Sequence, residues 1–249
     1  MIVRRLESHL LLITQSDHAA LAARIMTAWR AGGFRERASR ARVLEATRLH
    51  DMGWAPVDAA PTVDPETGMP YDVVNVPVAV RQAAWPRALD QLAPQDRYAA
   101  ALVAQHAITV YRRFGKDPEW EEFFANLQRR RDEFLEAEQA NRDGFLQDYA
   151  MVGMGDRLSL AFCYGWPEAD GLDPYRARLH AGVNPLEQAD SGVVDGGRLE
   201  IKPDPFDGTA VPLSVAARLL PVRRFASDAD LRKEMARARV VEVSGVAAA

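Results

Sequence analysis

Leu49-His50-Asp51-Met52-Gly53-Trp54 is the stretch from which the rest of this chain is read. It sets an imidazole and a carboxylate side by side at the end of a helix. That helix begins after Ser39 and carries Val43, Ala46, Thr47 and His50 on one face. Gly53 is a natural stop. Adjacent helical residues point about 100° apart. His50 and Asp51 therefore reach one ion only if it lies between their two directions, close to the helix end.

Upstream, Ser16 or Asp17 caps a helix with His18, Leu21, Ala22, Ile25 and Trp29 on its inward stripe, and Gly32-Gly33 ends it. Downstream, a helix from about Asp96 aligns Ala99, Leu102, Val103, His106 and Val110. Asp117-Pro118-Glu119 opens another, running to about Asn141, with Trp120, Phe123, Phe124, Leu127 and Phe134 inward. A last helix from about Phe145 to Cys163 sets Tyr149, Gly153, Asp156, Leu160 and Cys163 on one side. Asp156 is an acid on a core face, and a buried acid needs a partner. Gly153 and Gly155 flank it and would let another helix, or a ligand, approach.

A lone histidine on an apolar face is more often a core residue than a ligand. Here three of the five histidines, His18, His50 and His106, fall on inward faces of separate helices, and His9 and His180 do not. With Asp51 beside His50 and Asp156 facing inward, the pattern reads as one metal site assembled from four helices. Nitrogen and carboxylate donors suit Mn, Fe, Co, Ni or Zn better than Ca.

Residues 55–95 hold Pro56, Pro61, Pro65, Pro70, Pro77, Pro86 and Pro94, and the turn sequence Asp64-Pro65-Glu66-Thr67-Gly68. They read as a long, mostly irregular segment, either an exposed connector or a lid. Because it starts right after Trp54, the segment is expected over or beside the site, with Trp54 as one wall. Ile2-Val3 and Leu10 to Ile13 read as short strands. Past Trp166-Pro167 glycine, proline and aspartate become frequent. Leu199 to Lys202, Val211 to Leu219 and Val240 to Val243 look like strands, with a short helix from Ser227. The expected fold is mainly α: a helical metal-binding core with short N-terminal strands over residues 1–165, and a small β-containing appendage over 166–249, α+β overall.

Of the 249 residues, 48% are hydrophobic and 27% charged, enough for a real core. A net charge of −4 argues against a general nucleic-acid face. One cysteine, Cys163, permits no intramolecular disulfide, and a reducing, cytoplasmic compartment is expected. No apolar run approaches the roughly 20 residues of a membrane span, and Leu10 to Ile13 is too short for a signal core. The expected partner is a small anionic molecule, with no nucleic acid and no membrane; a homodimer is compatible with the sequence.

In order and element type, His18, His50 with Asp51, and Asp156 resemble the HD superfamily of metal-dependent phosphohydrolases. More closely, Gln15-Ser-Asp-His18, His50-Asp-Met-Gly-Trp54, the stretch Pro61 to Pro70 and the tail around Pro203-Asp-Pro-Phe206 are similar to an uncharacterised bacterial family within it. The resemblance implies an HD-type helical core with His18, His50, Asp51 and Asp156 as ligands of one divalent transition metal ion. His106 falls where many members carry a further histidine. Members with two metals add two histidines between the His-Asp pair and the last aspartate. This chain has only His106 there, so a second metal is not expected. Where some members carry a charged group after the pair, this chain has Gly53 and Trp54.

The expected function is hydrolysis of a small phosphorylated metabolite or nucleotide, as a phosphomonoesterase or phosphoanhydride hydrolase. His106 and Asp51 would be the catalytic residues, with Asp51 also a ligand. Arg112, Arg113, Lys116 and Arg157 are candidate phosphate contacts, against a reading as ordinary surface charges. The alternatives are an HD-type iron-dependent oxygenase and a non-catalytic metal- or ligand-binding module.

Overall fold

A computed structural model describes residues 1–114, 117–182 and 192–249. The chain opens with a hairpin, β1 (Ile2–Arg5) against β2 (His9–Ile13). The helical layer follows: α1 (Gln15–Ala28), α2 (Arg40–Leu49), α3 (Ala55–Ala59), α4 (Val78–Leu92), α5 (Arg97–Tyr111), α6 (Pro118–Ala137) and α7 (Arg142–Tyr164). Then come β3 (Glu168–Ala169), β4 (Arg176–His180), β5 (Val193–Lys202) and β6 (Val211–Pro221), a helix α8 (Asp228–Arg237) and β7 (Arg239–Ala248). No helix among the described residues is long and apolar enough to cross a membrane.

The mainly α expectation is overturned. The described residues are 52% helix and 21% strand, a balanced α and β structure with a curled seven-stranded mixed sheet. The strand order is β1-β2-β6-β7-β5-β4-β3. All neighbours are antiparallel except β5 and β7. The N-terminal hairpin is part of this sheet, because β2 pairs with β6 from His9↔Pro221 to Leu12↔Arg218. Both faces of β2 are covered, so its apolar run needs no polar alternation. Leu11 and Ile13 join the main core with the helices, while Leu10 and Leu12 pack with Leu220, Phe225, Leu231 and Met235 under α8.

Two contacts in the helical layer bring the site together. At Gly155 in α7, an added Cβ would lie 2.7 Å from Met26 Cγ, 3.1 Å from Thr47 Cγ2 and 3.3 Å from the Ala22 carbonyl oxygen. The missing side chain is what lets α1 and α2 close on α7 beside Asp156. At Gly53 a Cβ would overlap the Ala84 carbonyl, so α4 abuts the turn that follows Asp51. Arg87 of α4 also donates to the Gly53 carbonyl at 2.7 Å.

The stretch expected to be mostly irregular therefore contains two helices, α3 and the fifteen-residue α4. Proline misled the reading. Pro77 sits at the N-cap of α4, where its fixed φ is harmless. Pro86 lies inside the helix, but Trp85, Ala88, Leu89 and Leu92 bury its inner face.

Candidate metal centre

Four elements supply the site. Thr14 caps α1, accepting from the Asp17 amide at 3.0 Å, so the helix starts earlier than expected and His18 lies in its first turn. The Asp17 carboxylate is turned outward and accepts from the Thr14 hydroxyl at 2.6 Å. His50 follows the last residue of α2 in helical conformation, and Asp51 leaves it at φ −107°. That break swings the carboxylate onto the same point as the imidazole. Asp156 comes from the middle of α7 and His106 from α5.

The donor atoms converge. His18 Nε2 lies 3.2 Å from His50 Nε2, 3.3 Å from Asp51 Oδ2 and 3.3 Å from Asp156 Oδ1. His50 Nε2 lies 3.3 Å from the same Asp51 oxygen and 3.4 Å from the same Asp156 oxygen. His106 Nε2 stands farther out, 3.8 Å from the other oxygen of Asp156. All five residues are buried. The groups His18, His50, Asp51 and His50, His106, Asp156 could each hold a metal ion.

The spacing and the donor set fit such an ion. Bonds of about 2.0–2.2 Å give ligand–ligand edges of about 3.3–3.6 Å in a tetrahedron and about 2.8–3.1 Å between neighbours in an octahedron. Of five such edges, four at 3.3–3.4 Å fall in the tetrahedral range and the fifth, at 3.2 Å, lies between the two. The ring nitrogens behind the cluster fix the tautomers. Ser159 donates its hydroxyl to the Asp156 carbonyl at 2.9 Å, so it accepts from His18 Nδ1–H at 2.8 Å. His50 Nδ1–H donates to the Thr47 carbonyl at 2.7 Å. Both Nε2 lone pairs are then aimed at each other and at two carboxylates, which is the outer-shell arrangement of metal-ligating histidines. Only a cation, proton or metal, makes that convergence favourable.

The titration directions say the same. Burial pulls the His18 pKa down, but hydrogen bonds with Asp156, Asp51 and Cys163 and the charge of Asp156 hold it well above its usual value. Burial also opposes charging of His50, yet Asp51 and Asp156 raise it to about 9. Burial pushes Asp51 up, but His50 and His18 bring it below the carboxylate range. Asp156 is likewise pushed up by burial and pulled well below by His106, His18 and His50. Two carboxylates thus demand positive charge at the centre. Burial lowers His106 to about 4, so it is neutral near pH 7.

A cavity of about 100 Å³ opens beside the cluster. His18, Asp51, His106 and Asp156 form its floor, and Trp54 and Trp85 stand in its wall. Val73, Val74 and Arg81 come from the proline-rich segment, which therefore lies on the site. Of the four candidate phosphate contacts, Arg112 and Arg157 are not among the lining residues. Arg157 instead donates to the Gly153 carbonyl at 3.1 Å. Lys116 and the side chain of Arg113 fall outside the described residues. Sequence reasoning missed Ser159, one turn beyond Asp156, and Arg81, one turn before Trp85. The signals were there: a polar residue three positions after an inward acid, and an i, i+4 pair within Val78–Leu92.

A family model described as a protein of unknown function, DUF3891, matches residues 1–222. No curated protein and no solved structure matches the chain.

Proposed function

The chain belongs to the DUF3891 family, and we propose that it is a metal-dependent hydrolase of a small phosphorylated metabolite. The observation that carries this reading is the approach of His18 Nε2 and His50 Nε2 to each other and to one carboxylate oxygen each of Asp51 and Asp156, at 3.2–3.4 Å, with a cavity on one side. The order of these residues along the chain, as in the HD superfamily, supports it.

In this reading the four residues hold one divalent transition metal ion. Bound there, the ion would supply Lewis-acid activation of water and offset charge on phosphoryl oxygens. One ion is favoured over two because His50 offers a single free ring nitrogen; its Nδ1 is committed to the Thr47 carbonyl. The two candidate groups share His50, so they cannot each claim it for a separate ion. His106 stays neutral, lines the cavity and has an Nδ1 with no protein partner. It is placed to hydrogen-bond a phosphoryl oxygen or relay a proton. In the overall reaction the ester P–O bond breaks and the oxygen of water ends on phosphorus. One of the water's protons ends on the leaving-group oxygen. The buried, unpaired Cys163 is in keeping with a cytoplasmic setting.

The test is elemental analysis of protein purified without chelator, followed by phosphate release from a panel of alkyl, sugar, aryl and nucleotide monoesters. One first-row ion per chain and metal-dependent release are expected, both abolished by His50→Ala. A metal-replete protein that releases phosphate from no ester overturns the reading.

A further inference from the structure

Six buried side-chain polar atoms among the described residues have neither a hydrogen-bond nor an ion-pair partner. Five of them, Gln15 Oε1, Trp54 Nε1, Arg81 Nε, Trp85 Nε1 and His106 Nδ1, belong to residues lining the cavity beside the histidine–aspartate cluster. Native proteins leave few such atoms unpaired, so their concentration at one cavity marks groups that await a ligand. The set is rich in donors. An indole N–H and a guanidinium N–H can only donate. An anion with several acceptor oxygens answers that need.

Arg81 is the one Lys or Arg lining the cavity among the described residues. Its guanidinium carbon lies 5.5 Å from the Phe114 ring and 5.7 Å from the Trp120 ring, and no described carboxylate pairs with it. Trp85, one turn further along the same face of α4, meets the His106 ring at a centroid distance of 5.8 Å. One helical turn rises about 5.4 Å, which separates Arg81 by about that much along α4 from the Trp85 that meets His106.

The mouth itself is apolar. Six large hydrophobic side chains are exposed among the described residues, and three of them, Val74, Val110 and Trp166, line this cavity. Tyr164 stacks under Trp166 at 4.3 Å and 3°. Trp166 is still 44% exposed, so its remaining surface is open. A sugar or polyol laid on this rim would lose water from its hydroxyls without gaining partners, which is costly. The cavity of about 100 Å³ is also well below the roughly 300–1,000 Å³ that encloses a drug-sized ligand. A second or third phosphate would find no second Lys or Arg among the described residues that line the cavity.

We propose that this site selects a phosphate monoester with an aromatic or otherwise apolar leaving group, its phosphoryl oxygens held by Arg81 and its leaving group lying on the rim of Val74, Val110 and Trp166. This substrate class rests on the hydrolase reading above; the recognition it describes can be measured without turnover. The cavity interior takes the phosphoryl group, and the leaving group exits between Val74 and Trp166. The ester oxygen sits at the boundary, so the freed alcohol or phenol departs directly into solvent.

The experiment uses the full chain loaded with Mn²⁺ and has two arms. Binding of phenylphosphonate and methylphosphonate, whose P–C bonds are not hydrolysed, is measured by calorimetry. Turnover of phenyl phosphate, glycerol phosphate, ribose phosphate and AMP is measured as kcat/KM. Phenylphosphonate is expected to bind at least about tenfold more tightly than methylphosphonate, and phenyl phosphate to lead the esters by a similar factor. Trp166→Ala should bring the two phosphonates level, and Arg81→Met should weaken both by about tenfold or more, with circular dichroism confirming the fold of each variant. Equal binding of the two phosphonates, an Arg81→Met variant that binds like wild type, or preferred turnover of ribose phosphate or AMP overturns the proposal while leaving a hydrolase. Discriminating phosphonate binding with no phosphate release upholds this recognition and overturns the hydrolase. Neither binding nor release overturns both.

Discussion

Ser159→Ala should loosen the metal without touching a ligand. In the native site Ser159 Oγ accepts from His18 Nδ1–H at 2.8 Å, in a fully buried position. That bond keeps the proton on Nδ1 and leaves Nε2 free to face Asp51 and Asp156. Removing it orphans a buried N–H when the metal is bound, which costs about 1–3 kcal/mol. Without metal the cost is smaller, because His18 can release its Nδ1 proton to solvent and keep an Nε2–H pointed at the two carboxylates, 3.3 Å away. The penalty therefore falls on the loaded state and appears as weaker binding. At about 1.4 kcal/mol per decade it amounts to about 5- to 140-fold in Kd, in line with the roughly 10–100-fold seen when such outer partners are removed. The assay is competition for Zn²⁺ against a chromophoric chelator. Thr47→Val is the control. It deletes a hydroxyl that donates to the Val43 carbonyl at 2.8 Å but keeps the Thr47 carbonyl that orients His50. An Ser159→Ala protein within about twofold of wild type in Kd, or a Thr47→Val protein loosened equally, would refute the orienting role.

Asp51→Ala should lose metal and activity together, measured by elemental analysis and phosphate release. Asp17→Ala should spare the metal, since the Asp17 carboxylate accepts from Thr14 rather than facing His18 Nε2. Chelated protein should show a stability that falls with rising pH. His18 and His50 have raised pKa values, so their contribution is full below about 6.5, the unfolded value, and is lost through about 9 for His50. Asp51 and Asp156 are depressed, so their contribution is present above the unfolded value of about 4 and fades as pH drops through the folded values. Thermal melts from pH 5 to 9 should decline with chelator and stay flatter with metal, whose ligands are already deprotonated; parallel curves would contradict this. Gly155→Ala should lower the denaturant midpoint. Overpacking against Met26 and Thr47 costs about 1–3 kcal/mol, only partly offset by the roughly 1 kcal/mol gain in helix propensity.

The donor cluster was legible because its residues obey helical period. His18, His106 and Asp156 each fall on an inward stripe, and His50-Asp51 marks a helix end, so four separate local patterns name one place. What local pattern cannot give is pairing between distant segments. β4 reads Arg-Ala-Arg-Leu-His, and β5 contains Asp195-Gly196-Gly197, a turn composition. Leu199 to Lys202 was expected as a strand, but β4 and the first half of β5 become strands because neighbours on either side supply the ladder. α4 was hidden by weighing Pro77 and Pro86 above the burial of Trp85 and Leu89, and Arg81 was lost with it. Arg157 was a candidate because it neighbours Asp156. Adjacent helical residues diverge by about 100°, and its guanidinium turns back to Gly153.

β7 is the latest strand in the sequence and the middle one in the sheet. Until β7 is made, a growing chain can pair at most two separate halves of the sheet, β1-β2-β6 and β5-β4-β3. From Pro221 to Ala248, at about 5–20 residues per second, synthesis leaves β6 and β5 as open edges for roughly 1–5 s. Open edges recruit foreign strands. The yield of folded molecules would then hang on a kinetic race. Arg239–Ala248 must slot between the halves before another nascent chain adds itself there.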